Sequence, residues 1–252
     1  MNARSQRLCV WIGGPVFMGL FLVGFLIAGF IPPPSPTASA QTIAHMFVTR
    51  QHRIQLGLVF MTAGAPLQFV WAAAIAVQMK RIEGRYSPLT YVQLTSGAGG
   101  ALLFLVPTLV LQAAAYRPES RPVEITLMLD DLGWIMFVGA TTFAFVQGVA
   151  LAIAVLQDRS AEPVFPRWAG YFNIWVAILF QPALFLVFFK TGPLAWRGLF
   201  DWWLPLTVFG IWFAVMVVLL LRGIAQQERE EGAPPVADLP SEPPPAQRLQ
   251  TV

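Results

Sequence analysis

The chain has 252 residues, 56% of them hydrophobic and 12% charged, with a mean hydropathy of +0.63. A soluble globule carries about a quarter of its residues as charges, so water is not the solvent for most of this chain. The net charge of +3 does not point to nucleic acid: the 16 Lys and Arg are scattered between apolar runs and form no basic stripe.

Charged residues act as fences around six uncharged stretches, about 8–31, 54–79, 86–116, 132–157, 168–189 and 202–221. Each has 20 residues or more, enough at about 1.5 Å per residue to cross a hydrocarbon core of about 30 Å. In lipid the backbone must satisfy its own hydrogen bonds, so each stretch is expected to be a helix. The expectation is an all-α integral membrane protein: a six-helix transmembrane bundle over 1–224, with short interfacial helices on the outer side.

The first stretch follows Arg4 and Arg7 and contains Cys9. A single Cys excludes an internal disulfide. Downstream, Ala38-Ser39-Ala40 imitates a signal-peptide cleavage site. The apolar run exceeds the roughly 7–15 residues of a signal core, and Pro32 to Pro36 hold the motif away from it, so a retained first helix is expected.

Between the first two stretches, 42–53 reads as a helical extension of the second. It carries the only two histidines, His45 and His52, seven residues apart and so on roughly one face. With Asp130 and Asp131 they form a candidate N,O metal site; no other cofactor is expected. The second stretch has Pro66 and Gln68 near its middle, and the fifth has Gln181-Pro182 in a similar place. Proline kinks a helix where an amide is at hand, so Gln68 and Gln181 are candidate ligand-binding residues. Three helices plus three of opposite topology is also the plan of inverted-repeat transporters.

In the third stretch, Gly97-Ala98-Gly99-Gly100 permits close helix approach. Before the fourth, Pro122 is expected to start an interfacial helix with Glu124 in its first turn and Leu127, Met128 and Leu132 on its apolar face. Asp130 and Asp131 follow, as an interfacial stop or a polar recognition site. Apart from these fences the spans read as free of charge, their polar groups being amides and hydroxyls such as Gln93, Thr108, Thr141, Gln147 and Asn173. Such side chains commonly bond helix to helix. Trp134, Trp168, Trp196, Trp202 and Trp203 fall near span ends, where indoles anchor to the headgroup layer.

Residues 225–252 combine Glu228, Glu230, Glu231, Asp238 and Glu242 with six prolines, a composition expected to form a disordered cytoplasmic tail. Orientation follows from the basic residues. With the N-terminus inside, ten Lys and Arg fall on the cytoplasmic side and six outside, with Lys80-Arg81-Ile82-Glu83-Gly84-Arg85 as the best anchor. Both ends are then cytoplasmic, in the cell (inner) membrane.

No Walker, dinucleotide, HExxH, GxSxG or CxxC motif occurs, which points away from catalysis. The expected function is a non-catalytic accessory subunit of a membrane complex, or a binder of apolar molecules. The alternatives are a small-molecule transporter using Pro66/Gln68 and Gln181/Pro182, and a membrane metalloprotein or enzyme using the outer His and Asp. Expected partners are the lipid bilayer, other membrane subunits or further copies of the chain, and no nucleic acid.

Overall fold

A computed structural model describes residues 3–232. Ten α-helices account for most of them: α1 (Ala3–Trp11), α2 (Phe17–Ala28), α3 (Ala40–Thr49), α4 (Gln51–Gly64), α5 (Leu67–Glu83), α6 (Pro88–Tyr116), α7 (Val123–Gly139), α8 (Thr142–Gln157), α9 (Arg167–Leu179) and α10 (Leu204–Gly232). All of these but α3, together with short π and 3-10 segments, make six apolar spans, Ala3–Ala28, Gln51–Glu83, Pro88–Tyr116, Val123–Gln157, Arg167–Phe188 and Leu199–Gly232. The protein is a six-helix polytopic membrane bundle.

Successive spans run up and down. The N-terminus, the end of α5 and the end of α10 meet at one end of the bundle, called here the terminal end. There Gln78 Nε2 donates to Gln6 Oε1 at 2.7 Å, and Gln6 Nε2 donates to Gln227 Oε1 at 3.2 Å. Arg81 donates to Gln78 Oε1 at 2.8 Å, to the Gly223 carbonyl at 2.9 Å and to Glu230 at 2.7 Å, while Arg7 pairs with Glu228. These partners explain why α10 is helical through Gly232, beyond the expected start of a tail at 225. The remainder of that segment lies outside the described residues.

At the opposite end the connections are longer. Ser39 caps α3 by accepting from the Thr42 N–H at 3.2 Å. The expected continuous helix over 42–53 is broken at Arg50 (φ −114°, ψ 17°), and α3 packs on α7. The expected interfacial helix at Pro122 is instead the first part of the fourth span: Pro122 precedes α7, which runs unbroken to Gly139.

Five of the six spans are interrupted. A π segment at Ile12–Val16 surrounds Pro15, and Pro66 separates α4 from α5. The Thr141 N–H donates to the Gly139 carbonyl at 3.0 Å across Ala140 (φ −84°, ψ 48°), an inverse γ-turn that divides the fourth span. The fifth span passes into a 3-10 segment at Gln181–Phe188, and the sixth opens with a π segment at Leu199–Trp203. In lipid such irregular backbone is tolerated only where protein or a cavity covers it.

Small residues set the closest contacts. A Cβ on Gly24 would lie 2.6 Å from the Gly57 carbonyl oxygen, and one on Gly57 would strike the Gly24 carbonyl and Ala28, so the α2 and α4 backbones touch. Gly57→Ala therefore has to push the first span off the second. It is expected to lower stability by about 1–2 kcal/mol, the cost of modest overpacking, as read by thermal unfolding in detergent; an unchanged midpoint would contradict this packing. Gly97 and Gly99 serve the same purpose against Ala72 and Phe143.

Candidate ligand cavity

The interior is strongly aromatic. Phe17, Phe21 and Phe25 recur along one face of the first span and meet Phe104, Phe137, Phe209 and Phe213, with ring centroids 4.6–6.5 Å apart. They leave an apolar cavity of about 440 Å³, bounded by the first, third, fourth, fifth and sixth spans. That volume is in the lower part of the range of about 300–1,000 Å³ typical of small-molecule sites.

Two features fix how the cavity communicates with its surroundings. The first and sixth spans touch near the terminal end through α1 and α10, and α2 meets α10 through Phe17, which stacks on Phe213 at 5.5 Å. On the first span Gly19 and Leu22 line the cavity and are themselves exposed, Leu22 by 53%. The opening therefore lies on the side of the bundle. At the opposite end the connections fold over: Trp196 Nε1 donates to the Pro34 carbonyl at 2.8 Å, and Ile31 forms part of the cavity wall.

The polar groups are few: Asp201 and Trp202 at that capped end, and Thr141 at the break in the fourth span. Asp201, in the π segment that opens the sixth span, is 2% exposed, and neither carboxylate oxygen has a hydrogen-bond partner among the described residues. The next residue, Trp202, has an unpartnered buried indole N–H, and the Thr141 hydroxyl, at the break in the fourth span, is also unpartnered. All three line the cavity. Burying such groups without partners costs free energy, and most for a carboxylate, so they mark a place where a ligand completes the bonding.

Behind this end lies a second buried acid. Asp130 is fully buried, its Oδ1 accepting from Trp134 Nε1 at 3.0 Å and its Oδ2 without a partner. Trp134 packs edge to face on Trp202 with centroids 5.9 Å apart, and so joins Asp130 to the cavity wall. The expectation of charge-free spans is thus corrected: Asp130 and Asp201 are acids buried within the helical segments. The tryptophan expectation changes too, because Trp134, Trp196 and Trp202 are buried, with Trp134 and Trp196 spending their N–H groups on internal acceptors; Trp168 and Trp203 remain exposed.

The other expected site residues do not converge on the cavity. Asp131 is partly buried and Gln181 donates to the Ala177 carbonyl at 2.9 Å; neither forms part of the wall. Gln68 is 6% exposed with an unpartnered Nε2, but α5 makes at most marginal contact with α9 and the 3-10 segment that carries Gln181, so the two amides are not brought together. His45 and His52 are exposed and lie on different helices, α3 and α4. Among the described residues no group of three or more His, Cys, Asp or Glu is placed to hold a metal ion.

Asp201 carries the strongest signal that the sequence reading passed over. It stands in Leu199-Phe200-Asp201-Trp202-Trp203-Leu204, a lone acid among large apolar side chains, but read as a fence it simply ended a loop. Compared with family models, curated proteins and solved structures, the chain matches none.

Proposed function

We propose that this membrane protein binds an apolar molecule taken laterally from the bilayer into the aromatic cavity. The observation that carries the reading is the cavity itself: about 440 Å³ of apolar space, reaching the side of the bundle at the exposed Gly19 and Leu22 and covered at the end beyond Ile31. A ligand arriving through lipid has no need to cross water, and the rings offer it dispersion attraction that lipid chains supply less densely. No nucleophile paired with a base lines the cavity, so the reading is binding, with no reaction assigned. The terminal end faces the cytoplasm of the cell (inner) membrane, on the bias of basic residues there.

Protein extracted in mild detergent is expected to show one retained apolar molecule by native mass spectrometry, released into organic solvent on unfolding. A spectrum with the apo mass alone, from protein still folded and reconstituted with native lipid extract, would overturn the reading.

A further inference from the structure

Resting on the cavity reading, we infer that the ligand is an amphiphile confined to one leaflet, whose ammonium head sits on Asp201 while its apolar body lies along Phe209, Phe104 and Phe21.

The one acid in the cavity wall stands at one end of it. Asp201 and Trp202 line it where the sixth span begins; Pro205, Leu206 and Phe209 follow along the same span. Eight residues from Asp201 to Phe209 correspond to about 12 Å of rise, less than half of a hydrocarbon core of about 30 Å. The first span runs the other way and lines the cavity in matching order, Ile31 nearest the cap, then Phe25, Phe21 and Met18. A molecule lying here has its head near one membrane surface and its tail toward the midplane, the orientation of an amphiphile in a leaflet.

The head is read from what the wall lacks. Asp201 presents two acceptor oxygens with no donor among the described residues, and no Lys, Arg or His lines the cavity. A group that supplies several N–H donors and a positive charge answers Asp201, while the Trp202 indole N–H needs an acceptor that the ammonium itself does not carry. A carboxylate or phosphate head without an ammonium would bring like charge to Asp201, and a hydroxyl would offer one donor and no charge. Trp202 lines the cavity beside Asp201, and its ring packs against Phe25 at 5.5 Å and Trp134 at 5.9 Å.

The test measures saturable binding of tritiated dodecylamine, dodecanol and dodecanoate to the protein in phosphatidylcholine nanodiscs. The amine is expected to bind roughly tenfold or more tighter than the alcohol, the size of effect a charge-assisted hydrogen bond supplies, with dodecanoate weakest. In Asp201→Asn the amine-to-alcohol ratio is expected to fall close to one. If Asp201→Asn does not fold, dodecylamine against its N-acetyl derivative in the unaltered protein decides the same question. Equal, saturable binding of amine and alcohol would overturn the ammonium assignment and leave the cavity reading standing. Absence of saturable binding by any of the three would overturn the cavity reading itself. The same chemistry can be offered by a lipid headgroup or by a free amine. Displacement of dodecylamine by added phosphatidylethanolamine supports the headgroup as source, and failure of that lipid to compete supports the free amphiphile.

Discussion

Trp71→Ala lowers the stability of the bundle by roughly 3 kcal/mol, whereas Trp71→Phe costs about 1 kcal/mol or less. Trp71 is fully buried near the terminal side of the second span, stacked on Phe213 at 4.8 Å and edge to face with Trp212 at 5.9 Å. Its backbone lies where a Cβ on Gly13 would sit, 2.6 Å from its nitrogen, and its ring approaches Gly14. The π segment of the first span is thus moulded around this one side chain. In a bilayer the transfer part of the cost is small, because lipid is as apolar as the protein interior. What remains is the void and the dispersion attraction forfeited by the side chains around it, which places the cost at the low end of large-to-small changes. Phenylalanine keeps the stacked ring, and the indole N–H it removes has no acceptor among the described residues. Thermal or denaturant unfolding in detergent is the measurement; equal losses for Ala and Phe would show that the indole edge, and not ring packing, is what matters.

Gly19→Trp reduces binding of the apolar ligand by about tenfold or more, equivalent to at least roughly 1.4 kcal/mol, with little change in stability. Gly19 lines the cavity at its lateral opening, and a Cβ built there meets nothing within 4 Å. An indole therefore has room to enter without displacing backbone, and it occupies space that the ligand needs. Gly100→Trp is the matched control, since its Cβ also meets nothing within 4 Å and it does not line the cavity. Binding measured on both variants in nanodiscs is expected to fall only for Gly19. An equal loss in both would assign the effect to helix destabilisation by bulk.

The spans were legible because lipid imposes one solution on a long apolar run, whatever its neighbours. Their boundaries were less so. Asp130 marks the end of a loop when charge is counted along the chain, yet Trp134, one turn on, supplies a donor that lets the acid lie inside α7. The last turns of α10 look like a solvated tail until Gln6, Arg7 and Arg81 are brought beside them from elements far away in sequence. The γ-turn at Ala140 has no proline to announce it. The cavity was illegible for a simpler reason: its wall is Phe, Leu and Met from five spans, the same kinds of residue that face lipid elsewhere. Only Asp201 and Thr141 distinguish it locally, and their significance depends on the partners they lack.

The most direct test of the central claim is to map where an alkyl chain resides. Protein in nanodiscs is labelled with a diazirine-bearing alkyl probe, photolysed, digested and sequenced by mass spectrometry. Lateral binding in the cavity predicts saturable labelling of the segments around Phe21, Phe104, Phe137 and Phe209, abolished by Gly19→Trp. Labelling confined to outward-facing positions such as Leu102, Trp175 and Val218, and unaffected by Gly19→Trp, would contradict it.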